Sequence, residues 1–165
     1  MQKIVLVLLI ALFCSPACAA GPSTLVVSVD QKPALSLQLP EGWTSEFDAK
    51  KNQSDIKQPK FEIHINLWNV PKIQTVAAAK PLVDDVIKGE VTDFRVTGTK
   101  DVSIAGEKGQ LFIGTGSEAD DGDPSYLEVF LFAVGGKVFL LCAHGEGNGA
   151  AAAHDSLMEM LATAK

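Results

Sequence analysis

The chain has 165 residues, with 20 acidic against 14 basic side chains, a formal net charge of −6 and 47% apolar residues. That length supports one domain whose core needs no staples. With an acid excess and a single arginine, Arg95, the chain is a poor counter-ion for a phosphate backbone, so no nucleic acid partner is expected.

Residues 1–20 obey a different physics from the rest. Lys3 precedes an unbroken apolar run, Ile4 to Phe13, and small residues follow at Ala17, Ala19 and Ala20. The pattern predicts a secretory signal peptide over 1–20, because the run is too short to span a bilayer, which takes about 20 residues. A single soluble domain over 21–165 with no membrane span is then expected. Lipidation at Cys14 or Cys18 would instead anchor it, but neither cysteine has a leucine three residues before it. Cleavage leaves Cys142 as the one cysteine, so an internal disulfide is not possible.

Leu25 to Val29 and Leu35 to Leu39 read as paired strands about a turn at Asp30 to Pro33, the second alternating strictly in period two. Pro40 to Lys60 reads as a long polar connection. Phe61, Ile63, Ile65 and Leu67 alternate with Glu62, His64, Asn66 and Trp68, a third strand ended by Pro71. From Thr75 to Lys88 the period changes to three and four through Val76, Ala79, Val83, Val86 and Ile87. That predicts a helix over about 75–88, capped by Thr75, closed by Gly89 and disturbed by Pro81.

Phe94 to Ile104 and Lys108 to Gly116 follow as strands, then Tyr126 to Val134 and Lys137 to His144 as a hairpin about Gly135 and Gly136. Phe130, Phe132 and Val134 point one way and Leu127, Val129 and Leu131 the other. Its companion strand is equally apolar on both faces, which places the hairpin mid-sheet with helices above and below, and Cys142 inside it as a buried thiol. A closing helix over about 149–164 carries Ala153, Leu157, Met160, Leu161 and Ala164 on one stripe.

The string from Leu35 through Pro40 to Trp43, the helix followed by Val91 to Val96, the turn at Ile104 to Gly106, and Tyr126 heading the hairpin together resemble the PsbP-like family. That family includes the photosystem II extrinsic subunit, bacterial secreted domains, type VI effector chaperones and a yeast Ran-binding import factor. The resemblance implies an α+β fold, a three-layer α/β/α sandwich with a central antiparallel sheet, and a non-enzymatic binding or assembly role. It assigns no site residues.

Four constellations carry possible chemistry. Glu118, Asp120, Asp121 and Asp123 about Gly122 could offer oxygens to Ca²⁺, but EF-hand spacing is missing and Asp, Gly and Pro are ordinary turn formers. His144, Glu146 and His154 could hold Zn²⁺ only if residues 145–149 fold back. No serine stands in a nucleophile elbow; Ser103 precedes an ordinary turn. The face formed by Glu62, His64, Asn66 and Trp68, with Trp43 nearby, has the aromatic and polar mix of an interface anchor, unless a helix covers it and Trp68 packs in a core.

The expected function is therefore a secreted or periplasmic, non-enzymatic accessory protein, chaperone-like, that docks an unidentified protein partner on Glu62, His64, Asn66 and Trp68. No cofactor and no metal are expected. A small-ligand or lipid binder and a metal-dependent hydrolase built on His144 and His154 are the alternatives.

Overall fold

The computed structural model describes residues 23–165. The expected signal peptide over 1–20 and its cleavage point lie outside the described residues.

The chain forms two antiparallel sheets with helical segments packed on them, an α+β fold. Strands β1 (Thr24–Val29) and β2 (Lys32–Gln38) make the small sheet. The large sheet has seven strands: β3 (Thr44–Asp48), β4 (Gln53–Lys57), β5 (His64–Val70), β6 (Val91–Ile104), β7 (Glu107–Glu118), β8 (Pro124–Val134) and β9 (Lys137–Gly145). Their spatial order is β3-β4-β5-β9-β8-β7-β6. The apolar hairpin β8–β9 lies in the interior of the sheet, as its two-faced pattern requires. Its turn is Gly135–Gly136, with φ of 58° and 73°, the left-handed pair that suits the twist of a two-residue hairpin. The same turn recurs at Asp30–Gln31 and at Ala105–Gly106.

The alternation along β8 and β9 sorts their side chains into two cores. Phe130, Phe132, Val134, Phe139, Leu141 and Ala143 join a first core with β1, β2 and helix α3 (Gly149–Ala162). On the opposite face Leu127, Val129, Leu131, Val138, Leu140 and Cys142 join a second core with Ala79, Val83 and Ile87. The expected stripe of the closing helix is buried as read, through Ala153, Leu157, Met160, Leu161 and Ala164, with Ala150 added. Lys165 exchanges two backbone hydrogen bonds with Ser36, tying the end of this layer to β2.

Three expectations need correction. The helix expected over 75–88 is α1 (Val76–Ala79), a 3₁₀ turn (Lys80–Leu82) and α2 (Val83–Ile87). Thr75 does cap it, its Oγ1 accepting from the Ala78 N–H at 3.2 Å, but Pro81 lacks the N–H that a continuous helix needs. Gly89 does not close it in the left-handed conformation; Glu90 N–H instead donates to the Ile87 carbonyl at 2.8 Å. One face of the sheet is thus covered by short helical pieces, and the other by α3 together with a β-hairpin. The polar stretch 40–60 is not a connection: it contains β3 and β4, the edge hairpin of the large sheet. Edge strands with one wet face need little apolar material, and in β4 only Ile56 buries an aliphatic side chain, so the usual alternation signal is missing. Trp43 is buried in the first core and offers nothing to a partner.

Candidate functional site

The α1–α2 segment runs from the end of β5 to the start of β6 and covers Trp68, Val70, Leu140 and Cys142 beneath it. It stops before the far end of the sheet. There the residues that follow on the same face are polar: Asn66 and His64 on β5, His144 on β9 and Asp55 on β4. The strand register sets this, since Asn66 pairs with Cys142 and His64 with His144, and successive alternate positions share a face.

These side chains form one connected network. The Asn66 Nδ2 donates to Asp55 Oδ1 at 2.9 Å, which turns the Asn66 carbonyl oxygen toward His144 Nε2 at 3.0 Å. The other ring nitrogen, Nδ1, faces the Glu118 carboxylate at 2.9 and 3.0 Å. Both ring nitrogens therefore face oxygen atoms of neighbouring side chains. Gln53 Nε2 donates to Asp55 at 2.7 Å and to Glu90 at 3.2 Å, and Lys51 closes the chain on Glu90. That hydrogen bond raises the Lys51 pKa above its ordinary value against a smaller opposing effect of burial, with the charges of Glu90, Asp55 and Asp48 adding to it. His64 stacks on His144 with ring centroids 5.4 Å apart.

Asn66, His144 and Gln53 are buried, yet none is left wanting. Among the described residues no buried side-chain nitrogen or oxygen lacks a hydrogen-bond partner. A satisfied network in a low-dielectric setting is rigid, because breaking any one bond strands a polar group.

Above this floor lies an open groove of about 740 Å³, bounded by β4, the 58–63 segment, the 118–123 loop and residues 144–146. Gly145 permits the close wall on one side: a Cβ there would sit 2.5 Å from the Glu62 carbonyl oxygen and 3.0 Å from the Ile63 Cα. The opposite wall is the β7–β8 loop, held by Gly122 N–H to Glu118 O at 3.0 Å and by Asp123 N–H to Asp121 Oδ1 at 3.0 Å.

The four residues of the expected docking face divide between two environments. Glu62, His64 and Asn66 line the groove, Glu62 and His64 exposed and Asn66 in its floor. Trp68, 8% exposed, packs in the second core beneath α1–α2 and cannot serve as an accessible anchor. The three candidate zinc ligands, His144, Glu146 and His154, are not brought together. His144 faces the groove, whereas His154 on α3 meets the buried Glu128 at 2.7 Å under the other face of the sheet. Among the described residues no group of three or more His, Cys, Asp or Glu side chains is arranged to hold a metal ion. Asp121, one of the acids weighed for Ca²⁺, spends a carboxylate oxygen on its own loop. Cys142 is fully buried, and desolvation first, then the charges of Glu118 and Glu90, push its thiol pKa upward, away from the reactive thiolate.

Lys51, Gln53, Asp55 and Glu90 escaped the reading of the sequence. The one available signal was the alternation of Gln53, Asp55 and Lys57 with Ser54 and Ile56, the mark of a half-buried strand inside a segment otherwise rich in charge.

The sequence matches no protein-family model and no curated protein. Solved structures do match in fold. A protein from Bacteroides thetaiotaomicron aligns with TM-score 0.59 at 12% identity over 87% of this chain, which spans 48% of that longer one. LpqN of Mycobacterium tuberculosis, involved in cell envelope biogenesis, aligns with TM-score 0.54 at 14% identity over 88% of this chain and 91% of that one. Cyanobacterial PsbP from Synechocystis aligns with TM-score 0.53 at 9% identity over 87% and 92% of the two chains. At these identities the likeness is one of architecture, and the chain shares the fold of PsbP-like proteins.

Proposed function

We propose that the protein is a secreted, non-enzymatic accessory protein that binds another protein through the groove over His144. The observation that carries this reading is the closed network of the groove floor. Its buried groups all answer one another, so the floor is a preorganised surface and offers no activated nucleophile. Glu62 and His64, both exposed, act as contact residues, with Asn66 holding the buried floor beneath them, and the charged side chains around them suit a surface that must also be stable in water.

The part LpqN plays in cell envelope biogenesis supports a place in the envelope for this chain too, after removal of residues 1–20. Helical segments on both faces of the large sheet support reading the fold as an α/β/α sandwich. A lipid or small-ligand site would want an enclosed, mostly apolar cavity, and this groove is open and lined by polar and apolar surface in about equal measure.

The test is site-specific photo-crosslinking in the exporting cell, with the photoreactive amino acid in place of Glu62 and, as a control, in place of Val26 on the exposed side of β1. A defined protein adduct from position 62 and none from position 26 is the expected result. Equal adducts from both positions, or none, would overturn it. The intact mass of exported protein should correspond to a chain that begins at Ala20 or Gly21.

A further inference from the structure

We infer that the groove's partner presents a lysine- or arginine-bearing extended segment. This rests on the reading that the groove is the docking site and adds the chemistry of what docks there.

The starting point is a stretch of sheet face that the fold leaves without a cover. The α1–α2 segment ends at Ile87, and among the described residues no helix or strand lies above the floor beyond it, from Asp55 through Asn66 to His144. An uncovered sheet face is stable in water only if it is polar, which this one is, and its charge then selects what can lie on it.

That charge is strongly one-sided. Eight carboxylates line the groove against two lysines. Both lysines already have carboxylate partners, Lys51 with Glu90 and Lys57 with Glu46 at 2.9 Å. Glu62, Asp120, Asp121, Asp123 and Glu146, by contrast, have no cationic partner among the described residues. They stand on both walls, so their fields add across the gap and are focused by the protein beneath. The chain as a whole is acidic, which steers a basic partner from a distance as well.

The shape separates a polypeptide from a small amine. A groove of about 740 Å³ that is open to solvent encloses no small cation, while an extended segment can lie in it and place successive basic side chains against opposite walls. Phe61, half-buried in the lining, provides apolar surface for the aliphatic stems that carry such charges.

Titration of the full exported chain with three probes tests the assignment: a fluorescent peptide of alternating Lys and Ser, its counterpart of alternating Glu and Ser, and spermidine. Two charge variants accompany it. One neutralises the walls (Asp120→Asn, Asp123→Asn, Glu146→Gln), and one removes the same charge elsewhere (Asp84→Asn, Asp85→Asn, Glu159→Gln). All six positions are exposed, and unchanged unfolding midpoints confirm that both variants fold. The Lys-Ser peptide should bind, more weakly as salt is raised, and lose about tenfold or more in affinity in the wall variant only. The Glu-Ser peptide should not bind.

Equal weakening in both variants would show attraction to net charge and overturn the site. Spermidine binding as tightly as the peptide would assign the groove to small amines and overturn the polypeptide. A crosslinked partner at position 62 whose contact segment is neutral or acidic would overturn this inference while leaving the groove as a docking site, whereas absence of any adduct overturns both.

Discussion

His144 Nδ1 and Glu118 Oε2 stand 2.9 Å apart with only 2% and 13% of their side chains exposed, on strands β9 and β7 that are not neighbours in the sheet. Their contact spans β8, where Leu127 pairs with His144 and Pro124 with Ser117. The pair therefore links the sheet interior to the mouth of the β7–β8 loop, and so couples the groove floor to one of its walls.

Because both partners are shielded from water, removing one leaves the other without its match. Glu118→Ala should destabilise the fold by about 1–3 kcal/mol, the cost of leaving a buried hydrogen-bonding group unmatched. Asn66→Ala, which takes an acceptor from Nε2 and a donor from Asp55, should cost about 1–3 kcal/mol. Urea unfolding midpoints of the two variants and of their combination check this. A combined loss well below the sum is expected for members of one network; simple additivity would show that the two bonds are independent.

Trp68 separates a core role from a docking role. Packed beneath α1–α2, it should cost about 3–5 kcal/mol of stability when changed to alanine. Binding at the groove, measured per folded molecule, should stay the same. Retained stability with lost binding would return Trp68 to the docking surface.

Cys142 should be silent toward thiol reagents in the native protein and react at the rate of global unfolding. Its position in an interior strand, with a raised pKa, removes both access and thiolate. Labelling with and without denaturant measures it, and fast native labelling would contradict the interior placement of β9.

Ala105 occupies a left-handed position, φ 53°, in the β6–β7 turn, where Gly106 follows at 78°. Asparagine tolerates that conformation better than alanine and favours this turn type. Ala105→Asn should therefore stabilise the protein by about 0.5–1 kcal/mol, read as a rise in the thermal midpoint with no change in the groove.

The division of β8 and β9 into two cores was legible because it is written locally. Phe130 and Leu131, or Leu141 and Cys142, are neighbours whose side chains must point to opposite faces, and both being apolar demands cover on both sides. The turns at Gly135–Gly136 and Ala105–Gly106 and the stripe of α3 were readable for the same reason, since each depends on residues within a few positions of one another. Pro81 likewise marked the helix break in advance, although the 3₁₀ turn it produces depends on the geometry around it.

The groove was not readable in that way. His144 meets Asn66 across 78 positions and Glu118 across 26, so their contact exists only through the register of β5 on β9 and the return of β7 through β8. The edge hairpin β3–β4 that supplies Asp55 and Gln53 is too polar to announce itself, because an edge strand needs few apolar residues. The alternation through His64, Asn66 and Trp68 defined one face of β5, whereas Glu62 lies ahead of the strand, which begins at His64. Tertiary structure alone decided how far the α1–α2 segment reaches along that face, placing Trp68 under cover and leaving His64 and Asn66 to the groove, since the reach of a cover is set by chain length and packing across the sheet and not by the strand it covers.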